Sequence, residues 1–162
     1  MNLIVAVDEQ WGIGKEGDLL CRISGDMKRF RIITSGNVLV LGRKTLESFP
    51  NKKPLPNREH IVLTKNPKYS AEGVILCHSL EELPLALERF EGKEVFVAGG
   101  ESIYQQLLPF CEKAYVTKIY ATFPADTSFP NLDLLPEWEL IEEEAHEENG
   151  IKFSFVLYHK KK

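Results

Sequence analysis

Glu94-Val95-Phe96-Val97-Ala98-Gly99-Gly100-Glu101-Ser102-Ile103-Tyr104 is a short apolar run that meets two adjacent glycines and passes at once into a helical pattern. Three of its four apolar residues are strand formers, so the stretch predicts a buried strand, a sharp turn and a helix. Two readings fit the glycine pair. It is a tight strand-to-helix turn, or it is a place where backbone and ligand approach with no side chain between them. On the second reading the unpaired N–H groups of the following helix suit a phosphate or pyrophosphate.

Outward from this stretch, apolar runs recur at Leu3–Val7, Val38–Leu41, Ile61–Leu63, Val74–Leu76 and Tyr115–Tyr120. Several are continuously apolar, as strands covered on both faces are. Helical patterns are predicted from about Gly25 to Thr34 with Ser24 as N-cap, and from Arg43 through Glu47. Two more run from roughly Leu80 to Phe90, with a Ser79/Glu82 capping box, and from Gly100 to near Pro109. Pro84 sits deep in the third and argues for a later start. Asn149-Gly150 between Glu139–Ala145 and Lys152–His159 signals a hairpin, and the glutamates at 142–144 and 147–148 read as its solvated face. The expected fold is α/β: a mainly parallel sheet with an antiparallel C-terminal pair.

The 162 residues fit one domain, 1–162, able to bury roughly 70% of its unfolded surface. The formal net charge of -4 argues against a nucleic-acid partner. Lys160-Lys161-Lys162 reads as a solvated tail. Cys21, Cys77 and Cys111 are odd in number and widely spaced, which fits a reducing compartment and no disulfide framework. With four scattered histidines there is no ligand spacing for a metal. The expectation is a cytoplasmic chain without signal peptide or membrane span.

Three motifs bear on chemistry. Gly12-Ile13-Gly14-Lys15-Glu16-Gly17 matches G-x-G-x-x-G, but Asp8–Trp11 separate it from the strand and no helix opens beneath it. It reads as a mobile loop rather than a dinucleotide fingerprint. Gly42-Arg43-Lys44-Thr45 fails the P-loop spacing yet sets two cations and a hydroxyl where a buried strand meets a helix start, a combination suited to a phosphate monoester. The competing reading is an exposed basic helix start. Thr64-Lys65 repeats the chemistry at the next strand end. Asp26 stands in the first turn of the first helix, where acidic residues serve the helix dipole. Beside an apolar pocket the same carboxyl would have its pKa raised by desolvation and become a usable proton donor. Residue patterns leave both readings of Asp26 open.

In order along nearly the whole chain, Ala6, Gly12-Ile13-Gly14, Asp26, Phe30, Gly42-Arg43-Lys44-Thr45, Pro54-Leu55-Pro56-Asn57-Arg58, Gly99-Gly100 with Ile103-Tyr104, Thr117, and Asp126-Thr127 with Phe129-Pro130 resemble the dihydrofolate reductase family. The resemblance implies an eight-stranded, mainly parallel sheet with an antiparallel C-terminal strand and four flanking helices. It implies NADPH and a folate in one cleft, with hydride passing to C6 of dihydrofolate and a proton to N5. By matching position, Asp26 is the acid at the pterin and Thr117 the hydroxyl that fixes it. Ile4, Val5, Leu19, Met27, Phe30, Phe49, Leu55 and Val97 wall the pterin and benzoyl region, and Arg58 holds the α-carboxylate of the glutamate tail.

For NADPH the resemblance implies Ala6, Ile13 and Gly14 at the nicotinamide. Gly42, Arg43, Lys44, Thr45, Leu63, Thr64 and Lys65 lie along the phosphates and adenosine, with His78 near the adenine end. Gly99, Gly100, Glu101, Ser102, Ile103, Tyr104 and Thr127 complete the cradle. It also implies a cis peptide between Gly99 and Gly100, antifolate-like ligands besides dihydrofolate, and a monomer. Leu20-Cys21 replace the Pro-Trp common in the family's mobile loop, and a thiol is a weaker donor than an indole N–H. Other readings are a same-fold pyrimidine reductase of riboflavin synthesis, or a non-catalytic folate or nucleotide binder. Phe30 and Arg58, which answer a benzoyl-glutamate tail, argue against the first, and Asp26 with the cofactor cradle against the second.

Overall fold

The computed structural model describes residues 1–162. Eleven strands are formed: β1 (Asn2–Val7), β2 (Gly12–Lys15), β3 (Asp18–Leu19), β4 (Val38–Gly42), β5 (Glu59–Leu63), β6 (Ile75–Cys77), β7 (Val95–Val97), β8 (Lys113–Ile119), β9 (Thr127–Ser128), β10 (Trp138–Glu148) and β11 (Ile151–Lys160). The helices are α1 (Ser24–Thr34), α2 (Arg43–Glu47), α3 (Leu83–Leu87) and α4 (Glu101–Leu107).

Eight strands make one sheet in the order β10-β11-β8-β1-β7-β4-β5-β6. Pairing is parallel from β8 to β6, while β11 runs antiparallel to both β8 and β10. The apolar runs occupy the middle of this sheet because only residues without polar side chains can be covered on both faces. Val38, Leu39, Val40 and Leu41 are 0% exposed, as are Phe96 and Val97. One large core cluster lies on the side of Tyr104 and Leu107, and a second on the side of Leu46 and Phe96. The β10–β11 turn at Asn149-Gly150 has positive φ at both residues, 51° and 80°, as a two-residue hairpin turn demands.

Several sequence expectations are corrected. The Gly12–Gly17 stretch is not a free loop: Gly12–Lys15 is the centre of a second sheet, β3-β2-β9. Backbone bonds from Asp126 N to Gly14 O (2.9 Å) and from Phe129 N to Trp11 O (2.8 Å) dock it on the chain that follows β8. The third helical stretch is broken: 3-10 turns at Leu80–Glu82 and Glu88–Phe90 flank the five residues of α3, which Pro84 helps to open. The Ser79/Glu82 box does not form as drawn, since the Glu82 carboxylate accepts from the backbone N–H of His78 (2.5 Å). Lys160 is the end of β11 rather than a loose tail, and its ammonium donates to the Pro109 carbonyl (2.8 Å).

Ser24 is the first residue of α1, not its cap. The capping position is Ile23, which has no side-chain acceptor to offer. Glu148 supplies one instead. Its carboxylate accepts from Ser24 N (2.8 Å), Ser24 Oγ (2.9 Å) and Gly25 N (3.0 Å). Those bonds hold the Glu148 carboxyl below the usual carboxylate range. One glutamate read as part of a solvated face therefore fastens the helix start that carries Asp26.

Candidate active site

In an open parallel sheet the crevice forms at the carboxyl ends of the strands. Here the ends of β1, β4 and β7 bring Ala6, Gly42 and Ala98 to one rim. The cleft they open has a volume of about 850 Å³. Its far wall is the β2–β3 segment Ile13–Leu19 with Asp126 and Thr127, and its floor is Ala98–Tyr104. The Gly99–Gly100 peptide is cis.

The strand-end glycines leave room that side chains would fill. A Cβ on Gly42 would lie 3.2 Å from Ile103, and one on Gly14 3.0 Å from Thr127 Oγ1. Gly99 has φ +117°, a conformation closed to ordinary side chains. Gly99 O accepts from Gly42 N (2.8 Å), so the two strand ends are joined directly at the rim. Tyr104, 4% exposed, donates its hydroxyl to the Ile4 carbonyl (2.7 Å) and stands edge-on to Phe129 at 4.9 Å. Burial, with the field of Asp26 added, pushes its phenol up. Glu101 accepts from Ser128 N (2.6 Å) and ties the start of α4 to β9.

Arg43, Lys44 and Thr45 line the cleft at the start of α2, which has no side-chain cap of its own. Arg43 pairs with Glu47 one turn on. Leu63, Thr64, Lys65 and His78 are not in the cleft lining. They form the neighbouring strand end, where Leu63 is buried in the core and His78 Nδ1 meets Thr64 O at 2.9 Å.

Asp26 is not among the residues that line the cleft. The Thr117 hydroxyl donates to Asp26 Oδ1 at 2.5 Å. Thr117 is opposite Ala6 in the β1–β8 register, so the sheet itself fixes the donor. Burial raises the Asp26 carboxyl above the usual range, and the Thr117 hydroxyl and the Arg29 guanidinium oppose it. Arg29 is held over the Phe155 ring at 4.3 Å.

Of the expected substrate wall, Val5 and Leu19 line the cleft, while Ile4, Phe30, Phe49 and Leu55 belong to the second core cluster at its side. Met27 and Leu19 are about half exposed, at 49% and 53%. Arg58 reaches to 5.9 Å over the Phe30 ring. Val97 is corrected: it is sealed between Leu3 and Val40 in the sheet register, and Ala98 faces the cleft. Glu16, Gly17, Asp18, Ser48, Ala98 and Asp126 also line it and were missed. Ser48, one turn after Lys44, was within reach of helix periodicity, and Ala98 precedes the glycine pair. Asp126 was named only as part of the family pattern, with no place in the site; its carboxylate accepts from Glu16 N (2.9 Å).

A family model described as dihydrofolate reductase matches residues 1–160. This chain belongs to the dihydrofolate reductase family. The dihydrofolate reductase of Bacillus subtilis (strain 168) is 36% identical over 165 residues, covering 99% of this chain and 95% of that protein. The Drosophila melanogaster enzyme is 37% identical over 177 residues, covering 98% and 97%. Among solved structures, dihydrofolate reductase from Enterococcus faecalis complexed with NADP(H) and RAB-propyl superimposes with a TM-score of 0.87. It is 40% identical and covers 99% of this chain and 96% of its own. No helix here is long and apolar enough to cross a membrane.

Proposed function

We propose that the cleft and the Asp26–Thr117 pair beside Ala6 divide the work of one reaction, the NADPH-dependent reduction of 7,8-dihydrofolate to 5,6,7,8-tetrahydrofolate. The observation that carries the division is the Asp26–Thr117 pair, a half-buried acid with one fixed hydroxyl donor, outside the cleft lining that includes Arg43–Thr45.

The residues present fit NADPH. The cleft volume of about 850 Å³ is ample for a dinucleotide. Gly42, Gly99 and Gly100 let backbone meet ligand, and Arg43, Lys44 and Thr45 offer charge and hydroxyl to phosphate. Ala6, Ile13 and Gly14 border the nicotinamide end, with Glu101, Ser102, Ile103, Tyr104 and Thr127 around them. Leu63, Thr64, Lys65 and His78 extend the site toward the adenine. When bound, NADPH supplies the hydride delivered to C6 of the folate.

The chain's own residues prepare the acceptor. Asp26 holds the pterin and organises the proton that reaches N5, and its burial keeps that proton available nearer neutral pH than an exposed carboxyl would. Thr117 fixes the carboxyl's rotamer. Ile4, Val5, Leu19, Met27, Phe30, Phe49 and Leu55 exclude water from the pterin and benzoyl group. Arg58 holds the tail carboxylate. The protein works as a monomer of one domain, residues 1–162, in the cytoplasm, and takes dihydrofolate and antifolate-like molecules.

The test is loss of NADPH absorbance with dihydrofolate. Asp26→Asn is expected to lower turnover about 10²–10⁴-fold at neutral pH and less at acid pH, where substrate arrives protonated. No dihydrofolate-dependent oxidation by folded wild type would refute the assignment. Unchanged preference for NADPH over NADH in Arg43→Ala would refute the phosphate site.

A further inference from the structure

His60 is the one histidine the mechanism above does not use and the fold buries, at 1% exposed. It lies on β5 next to the Pro54–Arg58 segment, and both ring nitrogens are engaged by that segment. Leu55 N points at Nε2 (3.1 Å), and Nδ1 faces the Arg58 carbonyl (3.2 Å). A backbone N–H can only donate and a carbonyl can only accept. Nε2 must therefore be bare and Nδ1 must carry the hydrogen, so one neutral tautomer satisfies both bonds.

Protonation would set a second N–H against the Leu55 N–H and remove its acceptor. Within the segment so held, Asn57 turns the chain in the left-handed conformation, φ 60°. Arg58 is further steadied by Nε to Pro56 O (3.0 Å) and Nη1 to Thr34 Oγ1 (3.3 Å).

We propose that His60 is a positioning residue for substrate: its neutral Nδ1–H ring fastens Leu55 and Arg58 in the shape that grips the carboxylate tail of dihydrofolate, and its protonation loosens that grip. The proposal rests on the assignment of Arg58 to the tail. Burial holds the His60 ring below the usual imidazole range, so the grip persists at neutral pH. The charged groups whose fields reach the ring are Arg58, which disfavours protonation, and Glu59, which favours it. Leu39, opposite on β4, and Phe49, edge-on at 6.1 Å, carry no charge.

The test compares kcat/KM for dihydrofolate with kcat/KM for a dihydropterin lacking the benzoylglutamate, from about pH 8 to about pH 5.5. Both substrates share the Asp26 chemistry, so their ratio isolates the tail. In wild type the ratio is expected to fall toward acid pH. His60→Asn, whose amide keeps one acceptor and one donor at every pH, should flatten the profile. His60→Leu should lower the ratio about tenfold at all pH through the KM for dihydrofolate, leaving the tail-less substrate within about twofold.

Nitrogen-15 spectra of wild type supply a readout independent of folding in the variants, with His60 expected as the Nδ1–H tautomer at neutral pH. An Nε2–H tautomer, or equal losses with both substrates, overturns the proposal. Arg58→Gln separates the two levels. If it leaves the ratio unchanged, the tail assignment fails; if it lowers the ratio while His60→Leu does not, the role of His60 alone fails.

Discussion

Thr117→Val removes one hydroxyl and almost nothing else. Valine has nearly the same shape, suits a strand, and keeps its place between Ala6 and Phe155 in the sheet. What is lost is the bond to Asp26 at 2.5 Å, made by a residue 3% exposed. A buried hydrogen bond to a charged group contributes about 1.5–3 kcal/mol. At 2–4 °C per kcal/mol for a chain of this size, the melting temperature at neutral pH should fall by roughly 3–12 °C.

The pH dependence carries the sharper test. Burial already holds Asp26 above its ordinary 3.8, and Thr117 is the first of the two influences opposing that rise. Without it the folded-state value moves further up. A raised folded value means the neutral carboxyl is favoured by the fold, so the variant's deficit is smallest below 3.8, where Asp26 is protonated in both states. It grows as pH rises through the folded value and is complete above it. At the acid end only a neutral hydrogen bond, about 0.5–1.5 kcal/mol, is missing.

Thermal melts at a series of pH values, with the pH profile of hydride transfer, measure both consequences. The kinetic profile should move toward higher pH. An equal loss of stability at all pH, with an unmoved profile, would refute the coupling of Thr117 to Asp26.

Glu148→Ala should speed hydrogen exchange at the first amides of α1. Because the Glu148 carboxyl lies below its usual range, the wild-type advantage should be present above pH 4.5 and vanish as pH falls through the folded value. Gly99→Ala places a side chain at φ +117° and should cost about 1–3 kcal/mol while weakening NADPH binding, read by melting and by cofactor titration. Tyr104→Phe strips the donor from Ile4 O and should lower the melting temperature by roughly 2–6 °C with the fold unchanged by circular dichroism.

Sequence showed most of the large sheet because continuous apolar runs such as Val38–Leu41 have no other stable home in a small protein. It showed α2 because cations and a hydroxyl follow a buried strand at once. It misjudged Val97 for a related reason. In Val95-Phe96-Val97 every position is apolar, so alternation gives no phase, and only the folded structure shows that Val97 is sealed beside Leu3 and Val40 while Ala98 lines the cleft. The β2 sheet was invisible because β9 lies more than a hundred residues away, β3 is only two residues long, and the β2 glycines carry no periodic signal. Glu148 and His60 were missed because their roles rest on backbone groups, which leave no mark in side-chain pattern.

The clasp between Ser24 and Glu148 spans 124 residues, and the Asp26–Thr117 bond spans 91. At 5–20 residues per second a ribosome needs roughly 6–25 s to carry the chain from one side of that clasp to the other. For the first 91 residues after Asp26 the helix has neither its hydroxyl partner nor its anchor, and until Glu148 is made it still lacks the anchor. Order at α1 is thus completed last: a nascent chain halted before Glu148 would hold nearly every residue of the proposed cofactor cradle, and Thr117 as well, and still lack the anchor of the helix that carries Asp26.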